Sequence, residues 1–308
     1  MQKITIQYAA IGKRIDTFLA GYLKQVTRSF VSREIKNGRV LLNGKHIKSS
    51  TRLKDGDVVS FAINFKAIPT TTVSPQKNIS FAVVYKNKDF LVINKPVGLQ
   101  VHPSAAEKTH TLANALLAHF PEIKEVGDDP LRPGIVHRLD KNTSGLMIVA
   151  RTQKSFEKLK DLFKERKMQK TYVALLHGNL KDQEGIIDTP LARAPRYTKQ
   201  KIAEGKMRGK GRSAITLYRI LKRYAHYDFV EAQPKTGRMH QIRVHFASLG
   251  HPIVGDTKYY TKVEKRMPVL AYRQLLHAQK LSFTLNGKKY SFEAPLPKDF
   301  QDILKRLL

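Results

Sequence analysis

The stretch His137-Arg138-Leu139-Asp140-Lys141-Asn142-Thr143-Ser144-Gly145-Leu146-Met147-Ile148-Val149-Ala150 carries most of the information in this chain. It sets one carboxylate, Asp140, between cations and a turn of small residues. The turn runs directly into an apolar segment, Leu146 to Ala150, that reads as a buried strand. A rigid strand fixes the loop before it, and the loop then offers an acid side chain to a ligand. Taken alone, the same pattern describes a basic surface loop with one ion-paired Asp, which is common and energetically minor. The rest of the chain decides between the two.

Working outward, 308 residues suffice for two or three domains, and 41% hydrophobic residues place the chain among globular proteins. Lys and Arg number 56 against 25 Asp and Glu, a formal charge of +31 that points to a polyanionic partner. Membrane attachment would call for a basic amphipathic helix, a lipid signal or an apolar span, and none is found. With no Cys there are no disulfides, thiolates or Cys-based zinc sites. The first residues lack a signal-peptide core, so the cytoplasm is the expected compartment.

Residues 1 to 65 read as a separate module. Ile15, Phe18, Leu19 and Tyr22 have helical spacing, and Ser29 is placed as the N-cap of a second helix that ends at Asn37-Gly38. Val40-Leu41-Leu42 and His46-Ile47 flank Asn43-Gly44 as a tight hairpin, and Val58 to Ile63 closes the module as a strand. Arg28, Arg33 and Arg39 sit on the second helix and its exit. Two short helices, a hairpin and this cation density resemble the RNA-binding domain first known from a small-subunit ribosomal protein, the S-four-like domain. On that resemblance Arg28, Arg33 and Arg39 are RNA contacts.

Residues 66 to 78 show no period and read as a linker. Residues 79 to 308 form the second unit. Its strands include Phe90 to Ile93, Thr171 to Leu176, Tyr227 to Ala232 and a hairpin around Asn286-Gly287. Thr111 and Thr152 cap helices, and a terminal amphipathic helix carries Phe300, Ile303, Leu304 and Leu307. Strands and helices mix without regular alternation, which indicates α+β rather than a doubly wound fold. The stretch 196 to 223 holds ten Lys or Arg against Glu204 and reads as a phosphate-contacting loop. The helix at Ile242, Phe246 and Leu249 turns its apolar stripe inward, leaving Arg238, His240, Arg243 and His245 off it or at its edge.

No Walker loop, kinase loop, zinc-protease motif or nucleophile elbow is present, so no metal and no cofactor is expected. Four blocks do stand in order: Val92-Ile93-Asn94-Lys95-Pro96-Val97-Gly98 with His102-Pro103; the His137 loop; Lys170-Thr171-Tyr172 with Ala174; and Thr236-Gly237-Arg238-Met239-His240-Gln241-Ile242-Arg243-Val244-His245. Together they resemble the RluA-type family of pseudouridine synthases, from about residue 80 to about 297. Met239 departs from the Thr or Ser usual there. The resemblance implies a mixed, mostly antiparallel sheet flanked by helices, with Asp140 as catalytic aspartate, Tyr172 as active-site tyrosine and Arg243 as the arginine pairing with Asp140. It also implies an isomerase that detaches uracil from ribose and rejoins it through carbon, a reaction without redox change. The base must be flipped out of its helix. Arg138 would then fill the gap or hold a phosphate, with His137, Lys95, Arg238 and His240 gripping RNA. The expected substrate is large-subunit ribosomal RNA and the expected state a monomer. A synthase of transfer RNA, a non-catalytic RNA-binding or ribosome-assembly protein and a nucleosidase are the competing readings; the last would want a second carboxylate.

Overall fold

The computed structural model describes residues 2–23, 26, 28–62, 73–104, 107–194, 199–204, 211–260 and 270–308. The N-terminal unit holds β1 (Gln2–Thr5), α1 (Ile15–Leu23), α2 (Arg28–Lys36), β2 (Val40–Leu42) and β3 (Val58–Phe61). The sheet order is β1-β3-β2, all antiparallel. Ile15, Leu19, Val31, Ile35, Val40 and Val59 close a small core, which is why the helical spacing was legible. α2 begins at Arg28, so Ser29 stands inside the helix and not at its N-cap position. The Asn43-Gly44 turn forms with both residues left-handed (φ 51° and 75°), but its return leg is a single bridge at Lys45 and not a strand through Ile47. β3 takes the partner's place beside β2. Ile63 lies outside the described residues.

The second unit is built on a nine-stranded sheet. In chain order its parts are β4 (Ala82–Lys86), β5 (Phe90–Lys95), α3 (Leu112–His119), β6 (Ser144–Ala150), α4 (Gln153–Lys164), β7 (Gln169–His177) and β8 (Glu184–Asp188). A two-stranded pair follows, β9 (Leu191–Arg193) with β10 (Gln200–Ile202). Then come β11 (Ile215–Arg223), β12 (Tyr227–Pro234), α5 (Gln241–Ser248), β13 (Leu276–Leu285), β14 (Lys288–Glu293) and α6 (Lys298–Arg306). The sheet runs β4-β5-β6-β13-β7-β12-β11-β8, with β14 on β13. Every pairing is antiparallel except β6 with β13. The fold is therefore α+β with a mixed, mostly antiparallel sheet.

Three readings of this unit are corrected. Residues 73–78 are not a free linker: Val73 is buried in the main core, and Asn114 Nδ2 donates to the Ser74 carbonyl. The basic stretch 196–223 is not one loop, because Ile215–Arg223 is strand β11 paired on both sides; Arg196, Lys206, Arg208 and Lys210 lie outside the described residues. Arg243 and His245 are not at the edge of the α5 stripe but buried, at 4% and 0% exposure. In a helix this short, packed on several elements, polar side chains go inside wherever partners wait for them. His245 finds Thr216 and the Thr189 carbonyl.

Candidate active site

β6 is buried along its whole length, so the loop before it hangs from a fixed point. β6 and β13 approach closely at Gly145, where a Cβ would fall 2.2 Å from the Ala278 carbonyl oxygen and φ is +116°. Glycine is required there by both backbone and space. The loop itself is tied from three sides. Thr143 N–H donates to the Asp140 carbonyl. Lys95 Nζ donates to the Lys141 carbonyl at 3.0 Å, and Arg273 Nη1 reaches the Asn142 carbonyl at 3.4 Å.

The Asp140 carboxylate is 18% exposed and accepts from Arg243 Nη1 at 2.8 Å through Oδ2. The remaining edge of the same guanidinium donates twice to Asp256, at 2.6 and 2.8 Å. Asp256 also accepts from the backbone N–H of Lys258 and Tyr259. Burial alone would push Arg243 down, but the hydrogen bonds and charge of Asp256, and then those of Asp140, hold it above its ordinary value. Burial would raise Asp256, yet Arg243 and the two N–H donors bring it below the usual carboxylate range. Asp256 therefore neutralises Arg243 from behind, and the partly exposed Asp140 faces the cleft. Sequence reasoning assigned Asp256 no role; Gly255-Asp256 only fits the later positions of the family resemblance.

Tyr172 lies on β7 opposite Ala278 and Ala232, and lines the same cleft as Asp140. Burial and then the Asp140 charge push its hydroxyl above the ordinary value, so it is a neutral phenol at neutral pH. The structure thus brings Asp140, Tyr172 and Arg243 together. The cleft measures about 590 Å³, a size that suits a small ligand or a single nucleotide. Seven Lys or Arg side chains line it, namely Arg138, Lys164, Arg166, Lys170, Lys235, Arg238 and Arg243. Among the described residues Asp140 is the only acid in that lining.

Not every expected RNA contact survives. Lys95 cannot grip RNA: it is fully buried, and its Nζ donates to the carbonyls of Pro96, Leu99 and Lys141. Burial pushes its ammonium down to about 7, with the Asp140 charge pulling it back and Arg273 adding to the fall. His137 is no cation either. Its Nε2 accepts from Ile148 N–H, its ring stacks on Phe163 at 4.6 Å, and burial with the nearby Lys170 pushes it down to about 3. His240 sits in a left-handed conformation (φ 56°) just before α5, with Nδ1 on the Tyr259 hydroxyl and Nε2 3.7 Å from Asp140. Burial holds it down to about 4, so it neighbours Asp140 as a neutral ring and not as a phosphate grip. Arg138 is exposed at the cleft, and Arg238 is half-buried with Nε on the Ser213 carbonyl. Arg28, Arg33 and Arg39 are half exposed but each touches an acid, Asp16 for the first and Glu34 for the others.

The family model described as RNA pseudouridylate synthase matches residues 89–248, and the S4 domain model matches residues 13–59. A Neisseria meningitidis serogroup A protein named ribosomal large subunit pseudouridine synthase D is 36% identical over 321 residues, covering 99% of this chain and 81% of that one. A Chloroflexus aurantiacus protein named "uncharacterized RNA pseudouridine synthase" is 41% identical over 297 residues, covering 96% and 90%. Among solved structures, human RNA pseudouridylate synthase domain containing 1 matches with a TM-score of 0.58 and 26% identity, over 76% of this chain and 97% of that one. A buried sheet that carries one acid into a cationic cleft, and relatives that share nearly the whole length, lead to one conclusion: the chain belongs to the RNA pseudouridine synthases, enzymes that isomerise uridine in RNA, and it carries an S4 domain at its N-terminal end.

Proposed function

We propose that Asp140 starts the isomerisation and that the substrate is large-subunit ribosomal RNA. The carrying observation is Asp140, the one acid of the cleft lining among the described residues, held at 2.8 Å by an arginine already neutralised by Asp256. In the reaction the bond from uracil N1 to the sugar C1′ breaks and a bond from ring C5 to C1′ forms. N1 gains a proton, and C5 loses one to solvent. A carboxylate can begin this by attacking C1′, by adding to the ring, or by taking a proton from the sugar; each route needs Asp140 ionised and aimed. Tyr172 supports the base by stacking. As a neutral phenol it can take the C5 proton only if it hands its own on at once. Arg243 orients Asp140 through its 2.8 Å hydrogen bond. The assignment to ribosomal RNA leans on relatives that share nearly the full chain and are named for the large subunit.

The test is tritium release from transcripts labelled at uridine C5. Wild-type protein should release tritium from large-subunit ribosomal RNA and not from transfer RNA; the reverse pattern would replace the substrate. Asp140→Asn should lower release by at least about a thousandfold while RNA affinity stays within about twofold. Joint loss of affinity and folding would make Asp140 a structural residue.

A further inference from the structure

The buried cations of the catalytic unit are answered by acceptors. Lys95 has three carbonyls, Arg243 two carboxylates, and Arg273 the Asp299 carboxylate with two carbonyls. Lys170, half-buried in the cleft wall, is different. Among the described residues it has neither an acid at ion-pair distance nor a hydrogen-bond acceptor. What surrounds its Nζ is apolar or neutral: the Phe163 ring lies at 5.8 Å from Nζ, and His137 is stacked on that ring. Burial presses the ammonium below its ordinary value, and no acid offsets this. The approach to it is open. Gly237 lines the same cleft, where a Cβ would make ordinary contact with Nζ at 3.9 Å.

Lys170 also stands in register with the base platform. It is two residues before Tyr172 on β7, so both side chains leave the same face, about 7 Å apart along the strand. That spacing is close to the span from a pyrimidine ring to the phosphate of its own nucleotide.

We infer that Lys170 binds a phosphodiester of the RNA, the one adjoining the nucleotide whose base lies on Tyr172. This inference rests on the placement of the base proposed above. The substrate supplies the missing anion, and the half-desolvated ammonium meets it with little water left to displace. Arg138 and Arg166, exposed at the rim of the same cleft, receive the flanking backbone.

Two measurements test this. The first is equilibrium binding of a fluorescein-labelled single-stranded uridine dodecamer to the full chain over a range of KCl concentrations. Lys170→Met should reduce the slope of log K against log salt by about 0.7, the share of one phosphate on a single strand, and Lys170→Arg should restore it. A packing role for Lys170 would change affinity without changing the slope. The second is tritium release from a stem-loop substrate in which the phosphodiester on one side of the target uridine, and then on the other, is replaced by a neutral methylphosphonate. At one of the two positions this should raise KM about tenfold for the wild type and leave KM unchanged for Lys170→Met. The inference is overturned if Lys170→Met keeps the wild-type salt slope, or if the replacement costs the variant as much as the wild type at both positions. Absence of release by the wild type would strike the isomerase reading, and the salt slope would still decide whether Lys170 meets a phosphate.

Discussion

The N-terminal unit and the cleft use the same ion pair in opposite senses. In the S4 domain the carboxylates are inside: Asp16 and Glu34 side chains are 2% and 6% exposed, while Arg28, Arg33 and Arg39 are 50% to 60% exposed. In the cleft the arginine is inside, with Arg243 at 4% and Asp256 at 0%, and the half-open member is Asp140. In the Arg28–Asp16, Arg33–Glu34, Arg39–Glu34 and Arg243–Asp140 pairs one partner is buried and the other is the more open, whereas Arg243 and Asp256 are both buried. The N-terminal unit therefore turns cations outward, and the catalytic unit turns one carboxylate, Asp140, toward its cleft. The pairing chemistry is the same in both places, and burial decides which partner is left open.

The sharpest way to break this contrast is Arg243→Met. It should leave Asp256 buried without its cation, at a cost of about 3–5 kcal/mol, and also free Asp140. Urea unfolding should register the loss of stability and tritium release should fall to background; a stable variant that keeps activity would refute the pairing logic. Asp256→Asn is milder. Arg243 remains but is held less firmly, so kcat should drop by about 10–100-fold, the usual cost of removing a group that orients a functional side chain, with KM little changed in steady-state assays. An unchanged kcat would deny Asp256 its positioning role.

Acidification should separate the two units. In the catalytic unit burial holds His102 and His137 down to about 3 and His240 and His277 down to about 4. The unfolded chain takes up these protons near 6.5, so this stability is complete above that pH and is lost as pH falls from about 6.5 toward 4. In the N-terminal unit the depressed groups are carboxylates, Asp16 and Glu34. Their contribution is present above the ordinary carboxylate values of 3.8 and 4.5 and is lost only below them. Hydrogen exchange followed by mass spectrometry at pH 7 and pH 5, corrected for intrinsic rates, should show the catalytic unit loosening first. Equal loosening in both units would contradict this. The smallest effect is expected for Arg28→Ala and Arg33→Ala. Stability should change by less than about 1 kcal/mol, since Asp16 keeps Arg14 and Glu34 keeps Arg39. Affinity for long RNA should weaken, with the salt slope reduced by about 1 for each phosphate that the variant no longer neutralises. An unchanged slope would place the RNA elsewhere.

Much of the local structure could be read from the residues alone. Thr111 and Thr152 do begin α3 and α4, because capping is settled within a few residues. The buried strand after Asp140 and the hairpin at Asn286-Gly287 follow from apolar runs and turn residues for the same reason. Errors fell where a neighbour distant in sequence took over. β3 replaced the expected return leg of the N-terminal hairpin, and Val73 was drawn out of an apparent linker into the main core.

By itself the sequence determined the helix starts at Thr111 and Thr152, the buried strand after Asp140, the cationic character of the whole, and that Asp140, Tyr172 and Arg243 belonged to one pattern. Only the tertiary structure decided which charges are buried and whom they face. Lys95 and Lys170 look alike as letters, yet one is sealed against three carbonyls and the other lines the cleft with no hydrogen-bonded acceptor among the described residues. Asp140 and Arg243 stand 103 positions apart in the chain and 2.8 Å apart in space. The physical reason is that a charge is fixed by chemistry at its own residue, whereas its desolvation and its partner are set by packing among segments far apart in the chain.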